Sequence, residues 1–166
     1  MRRSITSRAF LTAVAGATLA LSFAPTYASV TPVRITCAIA GSANFTPGVK
    51  LTARPLHYTF SGGLSNCKTQ GVSLKSAAIT ASGNGSLSCA TGSSTGSATI
   101  HWNTGKTSYA AFTTNDIGAL VRLQGIVTSG YLTGLTFKGA LAFEANPVSC
   151  VAGLATAKFN GAVSTL

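Results

Sequence analysis

The chain predicts an all-β fold, an antiparallel β-sandwich or a partly closed barrel, on three observations. Apolar and polar residues alternate at Val33, Ile35, Cys37 and Ile39, at Leu56, Tyr58 and Phe60, at Ile100 and Trp102, and at Leu135 and Phe137. A period of two is the strand signature. Turn residues recur at roughly the 8–12-residue spacing of all-β domains, at Gly41-Ser42, Pro47-Gly48, Ser61-Gly62-Gly63, Gly83-Asn84-Gly85, Asn103-Thr104-Gly105 and Gly130. After Ser29 no 12-residue stretch carries a helical stripe, and 18 glycines make long helices costly. About nine to ten short strands are expected.

Taken in order, Met1–Arg8 is basic, Ala9–Ala24 is apolar, and Pro25-Thr-Tyr-Ala28 ends on a small residue. This is the pattern of a secretory signal peptide, residues 1–28, cut after Ala28. A membrane anchor needs about 20 apolar residues, and Thr12, Gly16 and Thr18 interrupt this run. No later stretch is long and apolar enough for a transmembrane segment, so residues 29–166 are expected to form a single secreted domain, extracellular or associated with the cell wall.

Four cysteines, Cys37, Cys67, Cys89 and Cys150, fall in that domain. In an oxidising compartment an even count reads as two disulfides. Three pairings are open; Cys37–Cys67 with Cys89–Cys150 is preferred because neither loop then crosses the other. A zinc site is the weaker reading, because there is no C-x-x-C and both histidines are remote from paired cysteines.

The clearest local element is a hairpin: a strand over Ser97–Trp102, a turn over Asn103–Lys106 with Gly105 left-handed, and a return over Thr107–Thr114. A second pair is read over Val121–Thr128 and Leu132–Phe143, joined at Ser129-Gly130. Two segments rich in Gly and Ser, Ser76–Ser88 and Thr91–Ser97, read as loop or flat strand. Lys68, Lys75, Lys106, Arg122, Lys138 and Lys158 are spread singly, as guards of strand edges and of the surface would be.

The chain has 12 Lys+Arg against 2 Asp+Glu. Without Arg2, Arg3 and Arg8 of the signal peptide, nine bases and two acids remain. Asp116 and Glu144, as the two carboxylate side chains, exclude chemistries that need several acids. Both sit where turn and strand-end roles suffice, which weakens a paired-carboxylate glycosidase reading. Gly92-Ser93-Ser94-Thr95-Gly96 matches a nucleophile elbow, but a strand pattern follows where a helix is required. His57 and His101 precede both acids, the wrong order for that fold's triad. A trypsin-like order from His101, Asp116 and a later serine lacks a Gly-rich nucleophile segment. No calcium loop, phosphate loop, dinucleotide fingerprint or metal-ligand helix is present, so no cofactor or metal is expected.

Among the aromatics, Trp102 shares a face with Ile100 and is expected in the core. Tyr109 and Tyr131, near strand ends, are the candidate ligand contacts, since exposed aromatics suit stacking on sugar rings. The bases show no adjacent pair, unlike the clustered bases of nucleic-acid proteins, so no specific nucleic-acid partner is expected. Diffuse positive charge still favours encounter with anionic polymers.

Phe45-Thr-Pro-Gly48, Ser88-Cys89, Ile100-x-Trp102-Asn-Thr-Gly105-x-x-Ser108 and Gly125-x-Val127-x-x-Gly130-x-x-x-Gly134, framed by Cys37, Cys67 and Cys150, resemble the small secreted β-rich proteins of actinobacteria. The resemblance spans nearly all of the domain. Its motifs are turn and core features, so it implies a fold and carries no catalytic residue onto this chain.

The expected function is that of a non-catalytic extracellular binding or surface-associated module, with an anionic cell-wall polymer or glycan as ligand. The alternative is an inhibitor or adaptor that binds a protein partner through the loops expected at Ser61–Asn66 and Gly92–Ser97. A small hydrolase using His101 or His57 is the third reading.

Overall fold

The computed structural model describes residues 32–144 and 147–166. The expected signal peptide, residues 1–28, lies outside the described residues. The strands are β1 (Arg34–Val49), β2 (Arg54–Gln70), β3 (Ala77–Leu87), β4 (Thr91–Trp102), β5 (Thr107–Ile117), β6 (Leu120–Gly130), β7 (Thr136–Glu144) and β8 (Leu154–Thr165). A short helix, α1 (Pro147–Ala152), precedes β8.

Each strand pairs antiparallel with the next, and β8 returns to β1 from Thr36↔Ser164 to Asn44↔Thr156. The sheet thus closes fully into an eight-stranded barrel, where the sequence predicts a sandwich or a partly closed barrel. Closure gives every strand two neighbours and abolishes edges. The six dispersed bases therefore guard no edge; they are exposed surface charges.

Alternation along each strand assigns its two faces. On β1, Ile35, Cys37, Ile39, Ala43 and Phe45 are buried while Thr36, Asn44 and Thr46 face out. On β4, β5 and β8 the outward positions are mostly Thr, Ser, Asn and Lys. This is the reverse of the apolar-out, polar-in alternation of barrels that span lipid.

Among the described residues the strands number eight, run 9 to 17 residues, and are longer than expected. The difference lies in the glycines. Gly41, Gly62 and Gly83, read as turns, stand in the middle of β1, β2 and β3 on the inward face. Inward Gly96, Gly125, Gly139 and Gly161 do the same on β4, β6, β7 and β8. A Cβ on Gly62 would lie 2.3 Å from the Ala40 carbonyl oxygen and 2.8 Å from the Phe60 ring. One on Gly125 would lie 2.4 Å from the Ala111 carbonyl oxygen and 2.6 Å from the Phe137 ring. Small inward residues capped by a neighbouring aromatic let the wall curve tightly enough to close. For the same reason Ser76–Ser88 and Thr91–Ser97 run mainly as β3 and β4. Ser61–Asn66 and Gly92–Ser97, expected as docking loops, are strand interior in β2 and β4.

The β4–β5 hairpin forms as expected, with Gly105 at φ 78° and its N–H donating to the Trp102 carbonyl at 2.9 Å. In the second pair β7 begins at Thr136, four residues later than read. Residues 131–135 instead form a tight turn closed by the Leu135 N–H donating to the Leu132 carbonyl at 3.1 Å, with Leu132 at φ 65° and Gly134 at φ 86°. Leu132 and Leu135 pack on the core at that end of the barrel.

Two apolar clusters fill the ends. One gathers Ile35, Ile39, Leu74, Ile79 and Trp102; the other gathers Phe45, Val49, Leu56, Leu87 and Leu154. Each end carries a disulfide: Cys37–Cys67 ties β1 to β2 at the first, and Cys89–Cys150 ties the β3–β4 turn to α1 at the second. This is the preferred uncrossed pairing. With sequence separations of 30 and 61, each restricts the unfolded chain by up to about 4 kcal/mol in the loop-entropy picture.

Candidate ligand cavity

The barrel is not evenly filled. An internal cavity of about 200 Å³ is lined from every strand, and on β1–β3 the lining side chains Ile39, Phe45, Leu64 and Ile79 are buried. On β5–β8 the lining Phe112, Val121, Leu123, Phe137, Phe143 and Phe159 are half-buried. Phe159 meets Phe60 edge-on and stacks on Phe143, with ring centroids 6.4 and 5.6 Å apart. Eight strands make a barrel just wide enough to be filled by side chains or to hold one small ligand. The space beside the inward glycines is taken by neighbouring rings, such as Phe60 at Gly62 and Phe137 at Gly125, and the cavity is what those rings leave unfilled.

One polar file interrupts the apolar lining. Tyr58 on β2, Ser94 on β4, and Thr114 and Asp116 on β5 all face the cavity. The Ser94 hydroxyl donates to Tyr58 Oη at 3.1 Å and lies 2.7 Å from Thr114 Oγ1, its cross-strand partner. Gly83 and Gly96 leave room for the Tyr58 phenol, since a Cβ on either would stand within 3 Å of its oxygen. Burial pushes the Tyr58 phenol above its usual range, partly offset by the bond from Ser94, and the nearby Asp116 charge adds to the rise.

Burial also raises the Asp116 carboxyl above the ordinary carboxylate range, partly offset by hydrogen bonding from Thr114. Thr114 Oγ1 stands between Ser94 Oγ and the Asp116 carboxyl, and is the hydroxyl of the file that meets that carboxyl. Asp116 Oδ1 is buried with no hydrogen-bond partner among the described residues. Buried polar atoms are nearly always paired, so this one marks an unfinished interaction.

The expected site residues fall elsewhere. His57 and His101 are exposed on the outer wall, their Nδ1 atoms 3.1 Å from Asn84 Oδ1 and 3.0 Å from Thr107 Oγ1. Neither faces the cavity or an acid. Glu144 is exposed at the end of β7 and accepts from Asn160 Nδ2 at 2.7 Å, while Asp116 points inward, so the two acids lie on opposite faces of the wall. Asp116 is strand, not turn. Tyr109 is exposed on β5, 49% accessible. Tyr131 is half-buried against the end core, and the Lys106 ammonium sits 4.2 Å from its ring centroid. The structure thus leaves Tyr109 free to stack and gives the Tyr131 ring a partner. Among the described residues no group of three or more His, Cys, Asp or Glu gathers as metal ligands.

Sequence reasoning passed over Tyr58, Ser94 and Thr114 as site residues. Their signal was parity: Ala110, Phe112, Thr114 and Asp116 share one face if β5 continues past Thr114.

No family model, curated protein or solved structure matches the chain.

Proposed function

We propose that this protein is a non-catalytic extracellular binding protein that holds a small, largely apolar molecule inside its barrel. The observation that carries the reading is the cavity inside the barrel, where Phe112, Leu123 and Phe137 are among the apolar side chains that line an internal space. Pre-formed apolar cavities with a few polar groups are where small ligands bind. At about 200 Å³, the space exceeds the ~150 Å³ engineered cavity that takes up benzene. The occupant is therefore a small aromatic or short-chain molecule, on the order of ten non-hydrogen atoms. The two disulfides and the expected signal peptide support an extracellular setting.

Titration with a small apolar fluorophore tests the reading. Saturable one-to-one uptake is expected, and Leu123→Trp, which fills the cavity from β6, should abolish it while leaving the far-UV spectrum unchanged. Absence of saturable uptake by the unaltered protein would overturn the proposal.

A second reading, association with anionic polymers of the cell envelope, is favoured by the exposure of Lys50, Lys68, Lys75, Lys106, Lys138 and Lys158 against two acids. It involves the outer face and is compatible with an internal ligand. Retention on purified cell walls that weakens with salt would support it; salt-indifferent or absent retention would remove it.

A further inference from the structure

The charge on this molecule is segregated. The domain is strongly basic, yet every Lys and Arg that is described lies outside the cavity lining, where the ionisable groups are Tyr58 and Asp116. An overall positive protein thus turns a lone carboxylate inward. Nothing in the packing requires an acid there, since an Asn would occupy the same volume.

Resting on the proposed cavity function, we infer that the ligand is a small amphiphilic amine, its ammonium on Asp116 and its apolar body along the β5–β8 wall. Three observations converge. Asp116 Oδ1 is buried without a partner and can only accept when ionised. The file behind it, Tyr58–Ser94–Thr114, sets one hydroxyl, that of Thr114, beside the carboxyl and leaves Oδ1 without a partner. An ammonium brings three donors and no acceptor, which complements both the carboxylate and the idle hydroxyl lone pairs.

Position agrees with polarity. Asp116 stands two residues before Gly118 of the β5–β6 turn, at one end of the cavity, while Leu123, Phe137 and Phe112 extend toward its middle. A ligand with one polar end fits this layout. The same layout discriminates: an alcohol supplies one donor in place of three, and a carboxylic acid brings a second negative charge beside Asp116 into an apolar space.

The test compares 2-phenylethylamine, 2-phenylethanol and phenylacetate by calorimetry on the folded, disulfide-bonded protein and on Asp116→Asn. The amine should bind about 10-fold or more tightly than the alcohol, as expected for a charge-assisted bond, and the acid most weakly. Asp116→Asn should bring amine and alcohol to similar affinity without loss of alcohol binding. In the unaltered protein, amine affinity should fall as pH drops and the carboxyl protonates; Tyr58 stays neutral as pH drops, and no other ionisable group among the described residues faces the site. Equal binding of amine and alcohol, or an amine preference that survives Asp116→Asn, would overturn this inference and leave the cavity reading intact. Failure of all three compounds to bind would overturn both.

Discussion

Thr114 Oγ1 lies 2.7 Å from Ser94 Oγ across the β4–β5 pair, so a hydroxyl two residues from Asp116 is already engaged by a neighbouring strand. The contact links the carboxylate to Tyr58 through two side chains, inside a lining that is otherwise apolar. Such a network rigidifies a core when complete and weakens it when a member lacks a partner.

Asp116 should accordingly oppose folding at neutral pH. Its folded pKa is raised by burial, so its contribution is most favourable below the unfolded value of about 3.9 and is lost as pH rises through the folded value. Asp116→Asn should raise Tm at pH 7 by about 2–5 °C. The gain should vanish near pH 3. Thermal melts at the two pH values check this, and an unchanged or lower Tm at pH 7 would contradict it. Stability gained with amine selectivity lost is the expected trade at a binding residue.

Ser94 and Tyr58 should behave as a coupled pair. Ser94→Ala leaves the buried phenol without its donor, at a cost of about 1–2 kcal/mol. In the Tyr58→Phe background the same change should cost measurably less, about half. Urea unfolding of the four proteins in the cycle gives the coupling; strict additivity would mean the bond contributes nothing.

Adjacent glycines should differ sharply. A Cβ on inward Gly62 meets the Ala40 carbonyl oxygen at 2.3 Å, whereas one on outward Gly63 meets its nearest atom, the Ala77 carbonyl oxygen, at 3.2 Å. Gly62→Ala should cost about 3 kcal/mol or more by overpacking the wall, and Gly63→Ala less than about 1 kcal/mol. Denaturant midpoints decide between this and a general intolerance of β2 to side chains.

Ser108 should be worth more than its size. It is fully buried, accepts the Trp102 indole N–H at 2.9 Å, and donates to the Tyr131 carbonyl. Ser108→Ala strands both partners, so a loss of about 2–3 kcal/mol is expected. A shift in Trp102 fluorescence should accompany it, readable because the chain has one tryptophan. A loss under 0.5 kcal/mol would show that the partners find other bonds.

Much of the molecule was legible in the residue order. Period-two alternation announced strands, Asn103-Thr-Gly105 announced its hairpin, and the placement of Trp102 beside Ile100 announced its burial. These are local properties, set by backbone geometry and by which face a side chain takes. The uncrossed disulfide pairing was favoured on the same footing.

Other features were decided by tertiary structure. Gly41, Gly62 and Gly83 look like turns in a linear reading because a glycine permits a turn. In a closed barrel the interior is crowded at its middle, and the same residues are needed there for lack of a Cβ. Asp116 looked like a turn residue because the chain bends at Gly118; only the strand register, which carries β5 on to Ile117, points its carboxylate inward. The sequence determined that β-strands would form, which side chains they would bury and that acids would be few. Closure decided that the strands share one interior, and thereby brought Tyr58, Ser94, Thr114 and Asp116 from three strands into one cavity, because contacts between distant residues depend on register and curvature that no local pattern encodes.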